Sequence, residues 1–367
     1  MEFKTTKSDF LKAITLVSSV TSTKAVTLPI LSNLLLEAHE PDRLSLVGTD
    51  LEVGISTQIS VAVKEAGSIT IPSKKLHDIV KELSEGEVHV SVAKNNAVTL
   101  KAGRALFKIM GLGKEDYPSL PEWKEENALE VEQSLVKECL SLTTFAISND
   151  ETRYVLNGIL ISLKENILRF VATDGRRLAY VEKKLEKKAK KNFEMIVPTK
   201  AIQEVSKILS WDGEVKIIPS QNQVIFHFGE TFLISRLIEG NFPNYNQVIP
   251  KEEGKTLTQV SREGLLQAVR RASLLTSVDS PAVKVDFVKG RILVSSRAPN
   301  LGEAKEEIEA ETNGRDVSIG FNPNYLTDAL KNLDIENVSL SLTDPDKPGL
   351  LTGKDGYKYV IMPMQLN

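Results

Sequence analysis

One script is written three times in this sequence: an amphipathic helix, a β-rich stretch, a second short helix, then further strands. The first helices place apolar residues at relative positions 0, 4 and 7, as Phe10, Ile14, Val17, then Leu135, Cys139, Leu142, then Leu265, Val269, Ala272. The second helices recur as IPSKKLHDIVKEL (71–83), VPTKAIQEVSKIL (197–209) and FNPNYLTDALKNL (321–333). A period of about 125 residues is too long for a solenoid repeat and matches a whole domain. The sequence therefore predicts three similar domains, at 1–125, 126–251 and 252–367, and its 367 residues suit them. The boundaries fall in DYPSLPEWKEEN (116–127) and NYNQVIPKEEGK (244–255), where proline, glycine and acidic residues cluster.

Between the helices the alternation is of strand type. Val88, Val90 and Val92 lead through Asn95-Asn96 to Val98 and Leu100. Val215 and Ile217 lead through 220–222 to Val224, Phe226 and Phe228, and Val338, Leu340 and Leu342 lead through a Pro/Gly loop to Leu350 and Thr352. Apolar alternation bounded by turn residues is a hairpin pattern. Each repeat reads as α+β, two helices lying against antiparallel sheet.

Composition narrows the function. At 41% hydrophobic and 26% charged the chain reads as an ordinary globular protein, without an apolar run of membrane length. The opening MEFKTTKSDF lacks the apolar core of a secretory signal, and the single cysteine, Cys139, falls on a helix's apolar stripe. Together these predict a reducing, cytoplasmic setting without a disulfide framework or a cysteine metal cluster.

Enzyme signatures are weak. GLLTGKDG (349–356) imitates a phosphate loop, but only three residues separate Gly349 from Gly353, and Asp355 stands where a Ser/Thr is needed. Asp344, Asp346 and Gly349 fit a calcium loop in step, yet Pro348 takes a ligand position and the flanks are strands. His39, His77, His89 and His227 are scattered without metal-ligand spacing, so neither a metal nor another cofactor is expected. Asp174 and Arg176 in TDGRR (173–177) offer the one enzymatic alternative, in phosphoryl chemistry; Asp-Gly is also ordinary turn chemistry, and Thr49-Asp50 repeats it without arginines. The lysine-rich KKLEKKAKK (183–191) reads as a solvated loop.

Charge on the helices points elsewhere. Over the stretches 7–24, 73–83, 132–148, 199–209, 261–277 and 324–333, thirteen Lys/Arg face eight Asp/Glu, a surplus of five. With a net charge of −3, the rest of the chain carries −8. A basic helical face on an acidic protein suits phosphate recognition without base readout. The ending YVIMPMQL (359–366) is apolar, unlike a frayed tail, and its two methionines suit an adaptable binding surface or a final packed strand.

LPILSNLLL (28–36), RYVLNGIL (153–160), ATDGRRLA (172–179), LIEGNFPNY (237–245) and YVIMPMQL, one set after another along the whole chain, resemble those of the bacterial β sliding clamps, the processivity subunits of DNA polymerase III. The resemblance implies a non-catalytic protein whose two head-to-tail chains close a ring of six similar domains, helices inside and antiparallel sheets outside, around duplex DNA. It implies a partner-peptide groove for the replicative polymerase and the clamp loader, at Leu156, Thr173, Gly175, Arg176, Arg177, Leu178, Pro243, Val248, Asn322, Tyr325, Val360, Ile361, Met362, Pro363, Met364, Gln365 and Leu366. Gln247 and Gln365 stand where arginine is expected, Arg176 where histidine is common, and Ser280 near an aromatic position; these departures bear on peptide preference. DNA-facing candidates are Lys12, Lys24, Lys74, Lys137, Arg153 and Lys200. The homodimer seam pairs Phe107 and Ile109 with Leu274 and Leu275, while Glu303, Glu306 and Glu307 face Lys74 and Arg104. A repeat-built interaction module that does not touch DNA is the third reading, and residue chemistry alone does not choose two chains over three per ring.

Overall fold

The structure is a computed structural model and describes residues 1–21, 28–121, 127–186, 191–250, 256–277, 281–299 and 301–366. The first repeat holds β1 (Glu2–Thr6), α1 (Lys7–Ser18), β2 (Asn33–His39), β3 (Arg43–Thr49), β4 (Val53–Ser60), β5 (Ala62–Glu65), β6 (Gly67–Pro72), α2 (Ser73–Glu82), β7 (Glu87–Val92), β8 (Ala97–Ala102) and β9 (Ala105–Met110). The second holds β10 (Leu129–Glu132), α3 (Gln133–Ser141), β11 (Gly158–Lys164), β12 (Ile167–Thr173), β13 (Arg177–Lys184), β14 (Phe193–Pro198), α4 (Thr199–Ile208), β15 (Glu214–Pro219), β16 (Gln223–Phe228) and β17 (Thr231–Arg236). The third holds β18 (Thr256–Ser261), α5 (Arg262–Ser273), β19 (Val283–Val288), β20 (Arg291–Ala298), β21 (Gly302–Gly314), β22 (Val317–Phe321), α6 (Pro323–Asn332), β23 (Asn337–Leu342), β24 (Gly349–Thr352) and β25 (Tyr357–Ile361).

The helices start where local chemistry starts them. Thr6 caps α1 by accepting from the Asp9 amide at 3.1 Å, and Ser261 caps α5 through Gly264 at 3.2 Å. The face that α1 buries is Phe10, Ala13, Ile14 and Val17, each side chain contributing about 1–3 kcal/mol by leaving water. The long helices end earlier than the periodicity suggests: α1 stops at Ser18, α3 at Ser141 and α5 at Ser273. Beyond α3 the reason is visible, because Thr143 and Thr144 hydroxyls donate to the Cys139 and Leu140 carbonyls and a 3₁₀ turn (Thr144–Ala146) follows. On the observed helices twelve Lys/Arg face seven Asp/Glu, so the surplus of five remains.

Contacts divide the chain into two compact units, Met1–Val136 with Lys200–Leu237, and Lys137–Thr199 with Ile238–Asn367. The cut passes through the middle repeat because its strands serve two different sheets. In the first unit, β10-β15-β16-β17 continue into β4-β3-β2-β6 as one eight-stranded sheet, and β5-β1-β7-β8-β9 form a second of five. In the second unit, β14-β11-β12-β13 continue through β25-β24-β23-β18 to β21-β20-β19-β22, twelve strands in all. The two joins are antiparallel: β17 to β4 through Leu233↔Ile55, and β13 to β25 through Leu178↔Val360. Backbone pairing thus removes four edges that would otherwise be open.

The motifs that imitate cofactor loops fall on sheet. Residues 349–352 are β24 itself, and Asp344 pairs with Arg315 across the neighbouring loop. His89 pairs with Glu2 at 2.9 Å, and no group of three or more potential ligands able to hold a metal occurs among the described residues. Of the lysine run, Lys183 and Lys184 end strand β13 rather than lying in a loop, and Lys183 holds Glu138 at 3.2 Å; residues 187–190 lie outside the described residues.

Candidate partner-binding site

The site is built on a turn that the sequence writes twice. Between β12 and β13, the Thr173 hydroxyl donates to the Arg177 carbonyl at 2.6 Å and accepts from the Gly175 amide at 3.0 Å. One Asp174 oxygen accepts from the amides of Arg176 and Arg177, and the other from Arg177 Nε at 3.0 Å. Between β3 and β4 the same bonds recur, Thr49 to Val53 and Leu51, and Asp50 to the amides of Glu52 and Val53. The third position is left-handed in both, φ +85° at Gly175 and +79° at Leu51. Glycine takes that conformation freely and leucine does not. Asp174 is therefore a turn-former with both oxygens engaged.

Arg177 ties this turn to the third repeat. Its Nη1 donates to Asp328 of α6 at 2.7 Å and its Nη2 to the Phe145 carbonyl at 2.6 Å. Its guanidinium also lies 4.5 Å from the Tyr325 ring centroid. Burial alone would lower the Arg177 pKa, but Tyr359, Asp328 and Asp174 outweigh it and hold the cation more firmly than usual. Tyr325 is fixed in turn by the Tyr359 hydroxyl, which donates to its carbonyl at 2.9 Å; burial pushes the Tyr359 phenol upward, so it stays a donor. Asn322 caps α6 through the Asn324 amide at 2.9 Å. Of the residues that the resemblance assigns to peptide contact, Arg177 and Asn322 thus hold the frame.

The floor beside this frame is apolar. Leu178 and Val360, paired across β13 and β25, join Leu160, Val171, Tyr180, Ile196 and Leu350 in one buried cluster. Leu156 is buried at the end of the 3₁₀ segment Glu151–Leu156. The segment 238–249 lies against the cluster through Ile238, Phe242, Tyr245 and Ile249, anchored where the Ile238 amide donates to the Ile196 carbonyl. That placement leaves Pro243 and Val248 exposed, Val248 at 48%. On the opposite side the chain's end is pinned twice by its backbone: the Met362 amide donates to the Arg176 carbonyl at 2.9 Å, and Met364 to Gly320 at 2.8 Å. Met362 is 41% exposed, Pro363 and Met364 are half-buried, and Ile361 is buried. Exposed apolar side chains over a packed floor are what an anchor pocket requires.

Not every expected residue joins this place. Gln365 and Leu366 border a different cavity, of about 680 Å³, with Lys284, Arg297, Glu303 and Lys305. Arg153, expected on the DNA side, sits at the turn: a Cβ on Gly175 would come 2.6 Å from its Nη1. Tyr154, absent from the expectation, is 57% exposed, and its neighbour Val155 packs on the cluster. Phe242 and Tyr245 also went unassigned, although their aromatic spacing in LIEGNFPNY was the available signal.

The remaining candidates lie on other elements. Lys12 on α1 and Lys74 on α2 are exposed, Lys137 lies on α3, and Lys200 on α4 is held by Asp50. Lys24 and Ser280 lie outside the described residues. Phe107 and Ile109 sit on β9, a sheet edge that also exposes Leu106 and Met110. Leu274 follows α5 at 77% exposure, with Leu275 half-buried. Residues 302–309 of β21 pair with β20 on one side, while β18 reaches only 310–314 on the other, which leaves a second edge open among the described residues. Of the acids there, Glu306 holds Arg271 at 2.5 Å and Glu307 holds Arg291 at 3.0 Å within the chain.

A triplicated α+β chain whose second and third repeats share one sheet, with exposed apolar side chains over its packed floor, belongs to the class of repeat-built α+β proteins. Comparison with known proteins makes the class specific. Residues 1–121, 130–244 and 246–365 match the profiles described as DNA polymerase III beta subunit, N-terminal, central and C-terminal domain. Among curated relatives, the beta sliding clamp of Pseudomonas putida is 34% identical over 370 residues, covering all of both chains. Among solved structures, the sliding clamp of Bacillus subtilis superposes with a TM-score of 0.96 at 29% identity, and the DNA polymerase III subunit beta of Pseudomonas aeruginosa with 0.93 at 34%, each over the whole of both chains. The chain belongs to the DNA polymerase III beta subunit family.

Proposed function

We propose that this chain is a DNA sliding clamp that makes a replicative polymerase processive, encircling duplex DNA as a head-to-tail pair and tethering partners through the groove at the β13–β25 join. Its task is to hold and not to catalyse, in keeping with the family's role as processivity subunit. The observation that carries the reading is that join: strands of the second and third repeats share one sheet, and Pro243, Val248 and Met362 stay exposed above its buried floor. The division into clamp domains 1–125, 126–251 and 252–367, a cytoplasmic setting and the clamp loader as a second partner belong to the same proposal. The edges of β9 and of β21 at 302–309 supply the seam, where strand addition closes a ring. The helices' basic surplus faces phosphate without reading bases, so topology holds the DNA and the ring slides.

Loading onto nicked circular DNA tests the proposal. The protein should stay on the circle and be lost when the circle is linearised. Equal retention on both forms would refute encirclement.

A further inference from the structure

The sheet face that floors the groove does not end at the apolar cluster. Across β13, β12, β11 and β14, Tyr180, Val171, Leu160 and Ile196 form one cross-strand row, all within the cluster. Two residues further along each strand, and hence on the same face, the row reads Glu182, Arg169, Ser162, Glu194. Here the covering segment stops, and a cavity of about 540 Å³ opens, lined by Ser162, Lys164, Arg169, Tyr180, Glu194 and Tyr245 among others.

Arg169 is held in place but only partly used. Its Nε donates to the Tyr180 hydroxyl and to Glu182, each at 3.1 Å, and the Tyr180 hydroxyl donates to the same carboxylate at 2.5 Å. No hydrogen bond engages its two Nη groups among the described residues, and its side chain is 20% exposed. Tyr180, whose ring lies 5.7 Å from that of Tyr245, separates this cation from the apolar floor. The network therefore fixes a guanidinium whose outer edge faces an open cavity, beside Lys164 and against Glu194, the one acid among the described lining residues. A fixed fork of donors matches a carboxylate.

We propose that this cavity is an extension of the partner groove that takes an acidic side chain of the bound peptide. The inference rests on the groove reading given above. Leu178 is four residues from Glu182 along β13, about 13–14 Å at strand rise. An acidic residue about four positions from the peptide's apolar anchor would reach Arg169 in an extended backbone. The groove would then rank partners by charge at a distance from their anchors.

Calorimetry on the full-length chain decides it. The probes are a short synthetic peptide with aliphatic and aromatic anchors, and the same peptide extended by four residues at either end, terminating in Asp or in Asn. In one direction the Asp form should bind about tenfold more tightly than the Asn form, as for a charge-assisted bidentate pair. Arg169→Gln should erase that gap while leaving the unextended peptide unchanged, and Glu194→Gln should widen it. Equal binding of Asp and Asn forms in both directions, or a gap that survives Arg169→Gln, overturns the extension but spares the groove. Failure of the unextended peptide to bind overturns both. Should Arg169→Gln fail to fold, Glu194→Gln at its exposed site still decides, because an unchanged Asp-to-Asn ratio there overturns the extension.

Discussion

Arg177 and Asp328, 151 residues apart, meet at 2.7 Å and lock the turn of the second repeat to helix α6 of the third. The pair is partly buried, with side-chain exposures of 11% and 34%. Such a pair gains its worth from geometry, since burying two charges offsets most of their attraction. What it secures is position: Tyr325 under the guanidinium, and the apolar floor beside them.

Arg177→Met should show this. It leaves Asp328, one Asp174 oxygen and the Phe145 carbonyl without their side-chain donor and should cost about 3 kcal/mol, the scale for breaking one side of a buried pair. Denaturant unfolding would show a lower midpoint, and peptide affinity would fall although each of the three Arg177 nitrogens is already engaged within the chain. Unchanged stability with lost binding would instead make Arg177 a direct contact.

The twin turns give an opposed pair. Gly175→Ala places a Cβ at φ +85° and should destabilise by about 1 kcal/mol. Leu51→Gly removes the same strain at +79° and should stabilise by about 0.5 kcal/mol after glycine's entropy is offset. Thermal unfolding checks both signs.

At the seam, Leu274→Ala with Leu275→Ala should give a folded monomer of 40.5 kDa. Leu274 is 77% exposed in the single chain, so its loss spares the fold, while two interface anchors of about 2 kcal/mol each disappear. A sedimentation coefficient still reporting a dimer would move the seam elsewhere.

For the DNA side, Lys12→Gln with Lys74→Gln is a cleaner test than any change at Lys200, whose loss would take the ion-pair partner from one Asp50 oxygen. If both lysines meet phosphate, the log–log salt slope of DNA binding should flatten by about 1.8. Peptide binding should not change. An unaltered slope removes α1 and α2 from the DNA-facing surface.

Deleting Met362–Asn367 should abolish peptide binding while the chains still pair. Among the described residues the deletion cuts two backbone bonds, Met362 to Arg176 and Met364 to Gly320, and leaves β25 in its sheet. Calorimetry with a partner peptide and sedimentation of the truncated protein read the two halves separately.

Much of this architecture is legible without coordinates because it is local. Stripe spacing placed three helices and segment recurrence the other three, alternation placed the hairpins at 88–100, 215–228 and 338–352, and the Thr-Asp turn needed only bonds within five residues. Helix ends were read too long, since threonine hydroxyls that compete for carbonyls do not disturb an apolar stripe. The groove residues came from resemblance, and resemblance could not say that Arg177 is spent inside the frame or that Leu366 borders another cavity.

The sequence by itself determined the triplication, the α+β content of each repeat and the turn chemistry, all set by periods and contacts a few residues long. Only the tertiary structure decided that β17 joins β4 and β13 joins β25, that the middle repeat is shared between two units, and that Arg169 lines up with Glu182, Ser162 and Glu194. Strand pairing is made by backbone groups that every residue carries, so side-chain patterns show which faces are apolar but not which distant edges meet.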